Sequence, residues 1–188
     1  MVEACVECNN NLSLDEQYVA CLIESVICGS TNPDDLSREN IKRTLTDTPA
    51  LASRLTHCKR LNEAGDLVWD VDVDRVKRVV LKLARGHIAY ELSLTRIEEP
   101  DIVTFTPLML MSDEQRSQFE SPGNNSLGLW PEIGSRAFIR AAKNLPSAES
   151  TVWTVVQRAR YRYLVAQTDN DSVRFVLSEY LACHVAWR

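Results

Sequence analysis

Cys5-Val-Glu-Cys8-Asn9 places two thiols and an amide at the start of the chain, in an arrangement that could hold a metal. Two thiolates separated by two residues have the spacing of a zinc knuckle, in which a tight turn lets both sulfurs reach one ion. A structural zinc site takes four ligands, so this pair is half of one. Cys21 and Cys28 could formally complete it, although thiols on a broad apolar helix face read as core residues. Cys5 and Cys8 also read as two free surface cysteines.

The histidines offer no general base. His87 falls on a helical apolar stripe and reads as a core histidine bonded to a backbone carbonyl. His184 alternates with Cys183 and is expected to face outward, and His57 ends a helical segment, where a positive charge suits the dipole. Asp70, Asp72 and Asp74 cluster where a helix should start, as acidic residues do; weak cation binding is the alternative. Arg78, Lys82 and Arg85 recur at helical spacing as a basic ridge that could track a phosphate backbone. Arg158, Arg160 and Arg162 form a second row at strand spacing. Each row also reads as a solvated or ion-paired face. The sequence has no phosphate-binding loop, dinucleotide fingerprint or nucleophile elbow.

Cys5-x-x-Cys8-Asn9, followed by Ser13-Leu-Asp-Glu16-x-Tyr18 and later by Lys82-x-x-Arg85-Gly86, resembles HNH-endonuclease-like proteins. The match is to the second half of their zinc-knuckle and ββα-metal motif and to the α+β region beyond it. The resemblance implies that Cys5 and Cys8 are structural zinc ligands. It also implies that Asn9 holds the last position of the motif, beside a divalent ion such as magnesium. In the family a first Cys-x-x-Cys and an Asp-His pair precede this point by some tens of residues, and they supply the metal carboxylate and the base. Four residues stand before Cys5. The expectation is a remnant half knuckle over residues 1–12, with magnesium relevant only if an upstream half exists. No catalytic residue is expected, and Arg78, Lys82 and Arg85 are the candidate nucleic-acid contacts.

Composition sets the class. The chain has 188 residues, 45% hydrophobic and 25% charged, with a net charge of −5. That is an ordinary globular composition, and it argues against a surface basic all round. No apolar run approaches the roughly 18–20 residues that span a bilayer. Six cysteines without a leader-like segment read as reduced thiols in a cytoplasmic protein.

The elements follow from periodicity. Ser13 with Glu16 matches a capping box, opening a well-buried helix that runs to Cys28 with Gly29 after it. Ser37 is expected to cap a helix through Ile41 and Leu45, and Pro49 to start the next. Asp66–Asp70 suggests a short strand. The longest helical period is Asp70–Glu91; with Asp74 as cap, Val76, Val79, Val80, Leu83, His87 and Tyr90 share a stripe. Gly86 there suggests close packing or an early end. Ile102–Met111 reads as an edge or kinked strand because of Pro107, with helical turns following over 112–119. A short helix is expected over 133–143. Period two over Trp153–Gln167 and Val173–Trp187, with turn residues between, predicts a long antiparallel hairpin. The expected fold is a single α+β domain over 13–188, its helices covering one face of a mostly antiparallel sheet. A noncatalytic binding or scaffolding module fits this fold as well as a nuclease relative does, with a protein partner or a second copy meeting the C-terminal sheet.

Overall fold

The computed structural model describes residues 6–121, 153–167 and 170–188, with side chains from residue 12 onward. The expected helix at 133–143 lies outside these residues. The fold is α+β, and it forms two compact units, Glu3–Val79 and Val80–Arg188.

The first unit is built on α1 (Val6–Cys28), which buries Tyr18, Val19, Cys21, Leu22 and Ile23. This is the broad apolar face that the sequence predicts. Ser13 is not its cap, because the helix already runs through it from Val6. The C-terminus behaves as expected: Gly29 takes φ +66°, and the Ser30 amide donates to the Ser25 carbonyl at 3.1 Å. That is a Schellman closure, which a residue without Cβ adopts at least cost. Next come α2 (Glu39–Asp47) and α3 (Pro49–Cys58), with Pro49 at the first helical position. Ile41, Leu45 and Leu55 face inward. The residue at the α2 cap is Arg38, not Ser37, and it makes no side-chain capping bond. A two-stranded hairpin, β1 (Lys59–Leu61) with β2 (Leu67–Trp69), then leads to α4 (Val73–Leu92). Asp72, not Asp74, caps α4, its Oδ1 accepting the Arg75 amide at 3.2 Å. Residues 73–79 of α4 belong to the first unit and the rest to the second.

The second unit is organised on an antiparallel sheet in the order β3-β7-β6-β5-β4. Its strands are β3 (Ile102–Pro107), β4 (Thr154–Gln157), β5 (Tyr161–Gln167), β6 (Asp171–Leu177) and β7 (Leu181–Trp187). β3 lies at an edge, as Pro107 requires. A C-terminal hairpin is present, but the two long strands expected from the sequence are four. The chain folds back at Arg158-Ala159-Arg160 and again at Ser178-Glu179-Tyr180. Ala159, Ser178 and Glu179 sit at φ 58°, 55° and 47°, left-handed conformations reached without glycine. Turns made of ordinary residues leave a period-two pattern uninterrupted.

Both faces of this sheet are covered, rather than one. Tyr163, Phe175, Cys183 and Phe105 are register partners across four strands and share the face that meets His87 of α4. Across the sheet, Val176 and Ala182 pack with Leu108, Met111, Trp153 and Phe119. Phe119 belongs to α5 (Asp113–Glu120), which opens with a complete Ser112/Gln115 capping box. The buried stripe of α4 also differs from the expected one. Val76, Val79 and Val80 are buried, but Leu83 is half-buried and Tyr90 exposed; Ala84, Ile88 and Glu91 are buried instead. Val76, Val80, Ala84, Ile88 and Glu91 follow one another at spacings of four, four, four and three, which keeps the stripe on one side of the helix. α4 runs through Gly86, where an added Cβ would meet nothing within 4 Å. Neither close packing nor an early end accounts for that glycine.

Candidate functional site

In the first unit the charged centre is Asp15. Its two oxygens receive Arg75 Nε and Arg78 Nε, each at 2.6 Å. Those hydrogen bonds, that of Arg78 above all, hold the Asp15 carboxyl below the usual range despite burial. The Arg75 guanidinium also lies 4.7 Å from the centre of the Tyr18 ring, and Tyr18 Oη accepts the Asp72 amide at 3.1 Å. One carboxylate thus ties α1 to the first turns of α4. Arg78, the first residue of the expected phosphate ridge, is committed to that tie.

The rest of the ridge is engaged too. Arg85 Nη2 donates to the carbonyls of Ile97 and Glu98 at 3.1 Å and lies 3.6 Å from Glu99. Lys82 has an interaction partner as well. The second basic row is broken by its turn, with Arg158 and Arg160 at the fold-back and Arg162 on β5. Arg162 forms a two-pronged pair with Glu120 at 2.6 and 2.7 Å, reaches Glu179 at 2.9 Å and lies 4.5 Å from the centre of a Trp153 ring. Arg174 closes the end of α5, its Nη1 donating to the carbonyls of Gln118, Phe119 and Ser121 at 3.1, 2.7 and 2.7 Å. Last-turn carbonyls lack helical partners, and a cation there meets the negative end of the dipole.

The histidines have structural surroundings. His57 Nδ1 is 2.7 Å from the Ser53 carbonyl within α3. His184 pairs in register with Arg174 and Thr104 on an interior strand, and burial and then Arg174 lower its pKa. His87 lies at the centre of an aromatic and polar cluster that the sequence did not reveal. Its ring stacks on Tyr163 with centroids 3.8 Å apart and an interplanar angle of 23°. Its Nε2 bonds the Tyr161 hydroxyl rather than a backbone carbonyl. Burial pushes the His87 pKa down to about 4 and the Tyr161 phenol upward. The Tyr163 hydroxyl donates to Glu91 Oε1, and Glu91 is buried, 3% exposed. The pair was not legible because α4 and β5 are distant in sequence, and a glutamate reads as polar surface. Its one signal is position: Glu91 stands four residues after His87.

For the knuckle, Cys8 and Asn9 lie in the helical backbone of α1, and Cys5 lies outside the described residues. Cys21 and Cys28 do not complete a zinc site with Cys8. Along one helix, Cys28 stands roughly 10 Å beyond Cys21 and roughly 30 Å beyond Cys8, whereas zinc–sulfur bonds are about 2.3 Å. Cys21 is buried, its thiol pushed up to about 11, and Cys28 lies 3.6 Å from the Ser37 hydroxyl. Among the described residues no group of three or more His, Cys, Asp or Glu side chains could hold a metal ion. Zinc at Cys5 and Cys8 would need its remaining ligands from elsewhere. Asp70, Asp72 and Asp74 likewise form no such group, and Asp72 is occupied as the α4 cap. Among the described residues no helix is long and apolar enough to cross a membrane. No family model matches the chain, and neither a curated protein nor a solved structure matches it.

Proposed function

We propose that this chain is a noncatalytic α+β binding or scaffolding module related by descent to HNH-endonuclease-like proteins. One observation carries the reading: among the described residues, the candidate phosphate contacts and the central histidine are engaged within the fold. Arg78 serves Asp15, Arg85 the 97–99 carbonyls, Arg162 Glu120, and His87 its tyrosines. The relation to the nuclease family rests on Cys5-x-x-Cys8-Asn9 and the Lys82-x-x-Arg85-Gly86 stretch. Nucleic-acid association through Arg78, Lys82 and Arg85 is the second reading; a phosphate there would compete with the partners those side chains already have. A protein partner or second copy would add to the sheet at its β3 or β4 edge, where a strand can be extended by backbone pairing. Free thiols at Cys21, Cys28, Cys58 and Cys183 fit a reducing, cytoplasmic setting.

Incubation of the chain with supercoiled plasmid and added magnesium or manganese tests the reading. Nicking equal to a buffer control is expected. Nicking that disappears in Asn9→Ala would overturn it and place a metal-dependent site at the start of α1.

A further inference from the structure

The His87 cluster has a feature that packing alone does not use. Glu91 Oε1 accepts the Tyr163 hydroxyl, while Oε2 is buried and has no partner among the described residues. His87 lies one helical turn before Glu91 on α4, and its ring rests on the same Tyr163. Residues four apart on a helix are side-chain neighbours. A neutral imidazole has one ring N–H, while an imidazolium has two and needs a second acceptor.

We infer that His87 and Glu91 form an acid-responsive latch between α4 and β5 of the second unit. In the neutral state His87 Nε2 bonds Tyr161 and the Glu91 carboxylate holds Tyr163. When the imidazole takes up a proton, Nδ1–H turns toward Glu91 Oε2. The imidazole–Tyr163 stack shears, and the Tyr163 hydroxyl shares its acceptor with a cation. Tyr161 and Tyr163 on β5 and Phe175 on β6 face His87, Glu91 stands one turn further along its own helix and meets the same Tyr163, and Cys183 on β7 neighbours Tyr161. Glu91 is thus the carboxylate of the cluster and the acceptor the added proton would find. Burial keeps His87 neutral near pH 7, so the latch stays closed there.

The test is an NMR titration of the full chain from pH 7.5 down to about 3, through the His87 midpoint, following the His87 ring nuclei and the Tyr161 and Tyr163 ring resonances. The latch predicts that His87 and Tyr163 resonances move together with one midpoint below the ordinary histidine value. Glu91→Gln removes the charge the imidazolium seeks, so His87 should stay neutral to lower pH than in the parent chain. Tyr163→Phe frees Oε1 and should raise the midpoint. A His87 midpoint that neither variant moves, in samples whose near-ultraviolet circular dichroism stays native, would overturn the latch. So would Tyr163 resonances that stay still while His87 titrates.

Discussion

At the scale of single residues, two backbone positions make opposite demands. Gly86 is an exposed interior residue of α4 with open space where a Cβ would go. Gly86→Ala should therefore stabilise the protein by about 1 kcal/mol through helix propensity and a less flexible unfolded chain. Ala159 is the reverse case, a non-glycine residue at φ 58° in an exposed turn. Ala159→Gly should gain up to about 1 kcal/mol by removing a left-handed conformational cost, less the extra freedom of the unfolded glycine. A urea titration of each variant measures both effects, and a loss of stability in either would contradict the backbone reading. His87 sets a pH dependence with a definite sign. Its folded pKa, about 4, lies below the unfolded value near 6.5, so its contribution is fully present above pH 6.5. That contribution is lost as pH falls from 6.5 toward 4, by on the order of 3 kcal/mol. His87→Gln should flatten the fall of the urea midpoint across that window. An equally steep fall in the variant would assign the pH dependence to other groups.

At the scale of elements, α4 shows what periodicity can and cannot locate. The sequence pattern places a helix there and buries Val76, Val79 and Val80. It misjudges the stripe beyond them, because the apolar character of Leu83 and Tyr90 outweighs small Ala84 and charged Glu91 in any hydropathy reading. Burial at Glu91 becomes affordable only once the Tyr163 hydroxyl arrives from a distant strand, a contact no local pattern contains. Ile88→Ala should cost about 2–5 kcal/mol, as a fully buried truncation does, and Leu83→Ala clearly less. Equal losses in a denaturant titration would put the core back on the stripe read from the sequence. The sheet teaches the same lesson. Alternation over 153–187 identifies strands and sorts the faces of β5, β6 and β7, but on β4 it is Thr154, not Val155, that pairs with Tyr163, and the fold-backs at Ala159 and Ser178-Glu179 carry no glycine, asparagine or proline to mark them. Long-range ties hold them instead. The Ser178 amide donates to the Arg160 carbonyl at 2.7 Å, and Arg162 grips Glu179.

At the scale of the whole molecule, pairing between elements organises much of the charge among the described residues. With a net charge of −5, the sequence offers each basic row as a phosphate contact or as a solvated or ion-paired face. The structure favours pairing for several of the described arginines: Arg75 and Arg78 with Asp15, Arg96 with Asp171 and Glu98, Arg162 with Glu120 and Glu179, and Arg174 with the end of α5. Spacing shows where cations lie along an element. It does not show whether a partner from another element reaches them, so the ridge was legible as a row and illegible as a set of ties. The proposed function stands on those ties, and the most direct measurement is the binding of labelled duplex DNA at about 50 and about 200 mM salt, a span over which phosphate contacts are strongly weakened. A chain whose arginines serve its own fold should show weak binding with a shallow salt slope, unchanged when Arg78, Lys82 and Arg85 are all replaced by Glu in a variant that stays folded. Tight binding with a steep slope that flattens in the triple variant would contradict the account and assign α4 to the phosphate backbone.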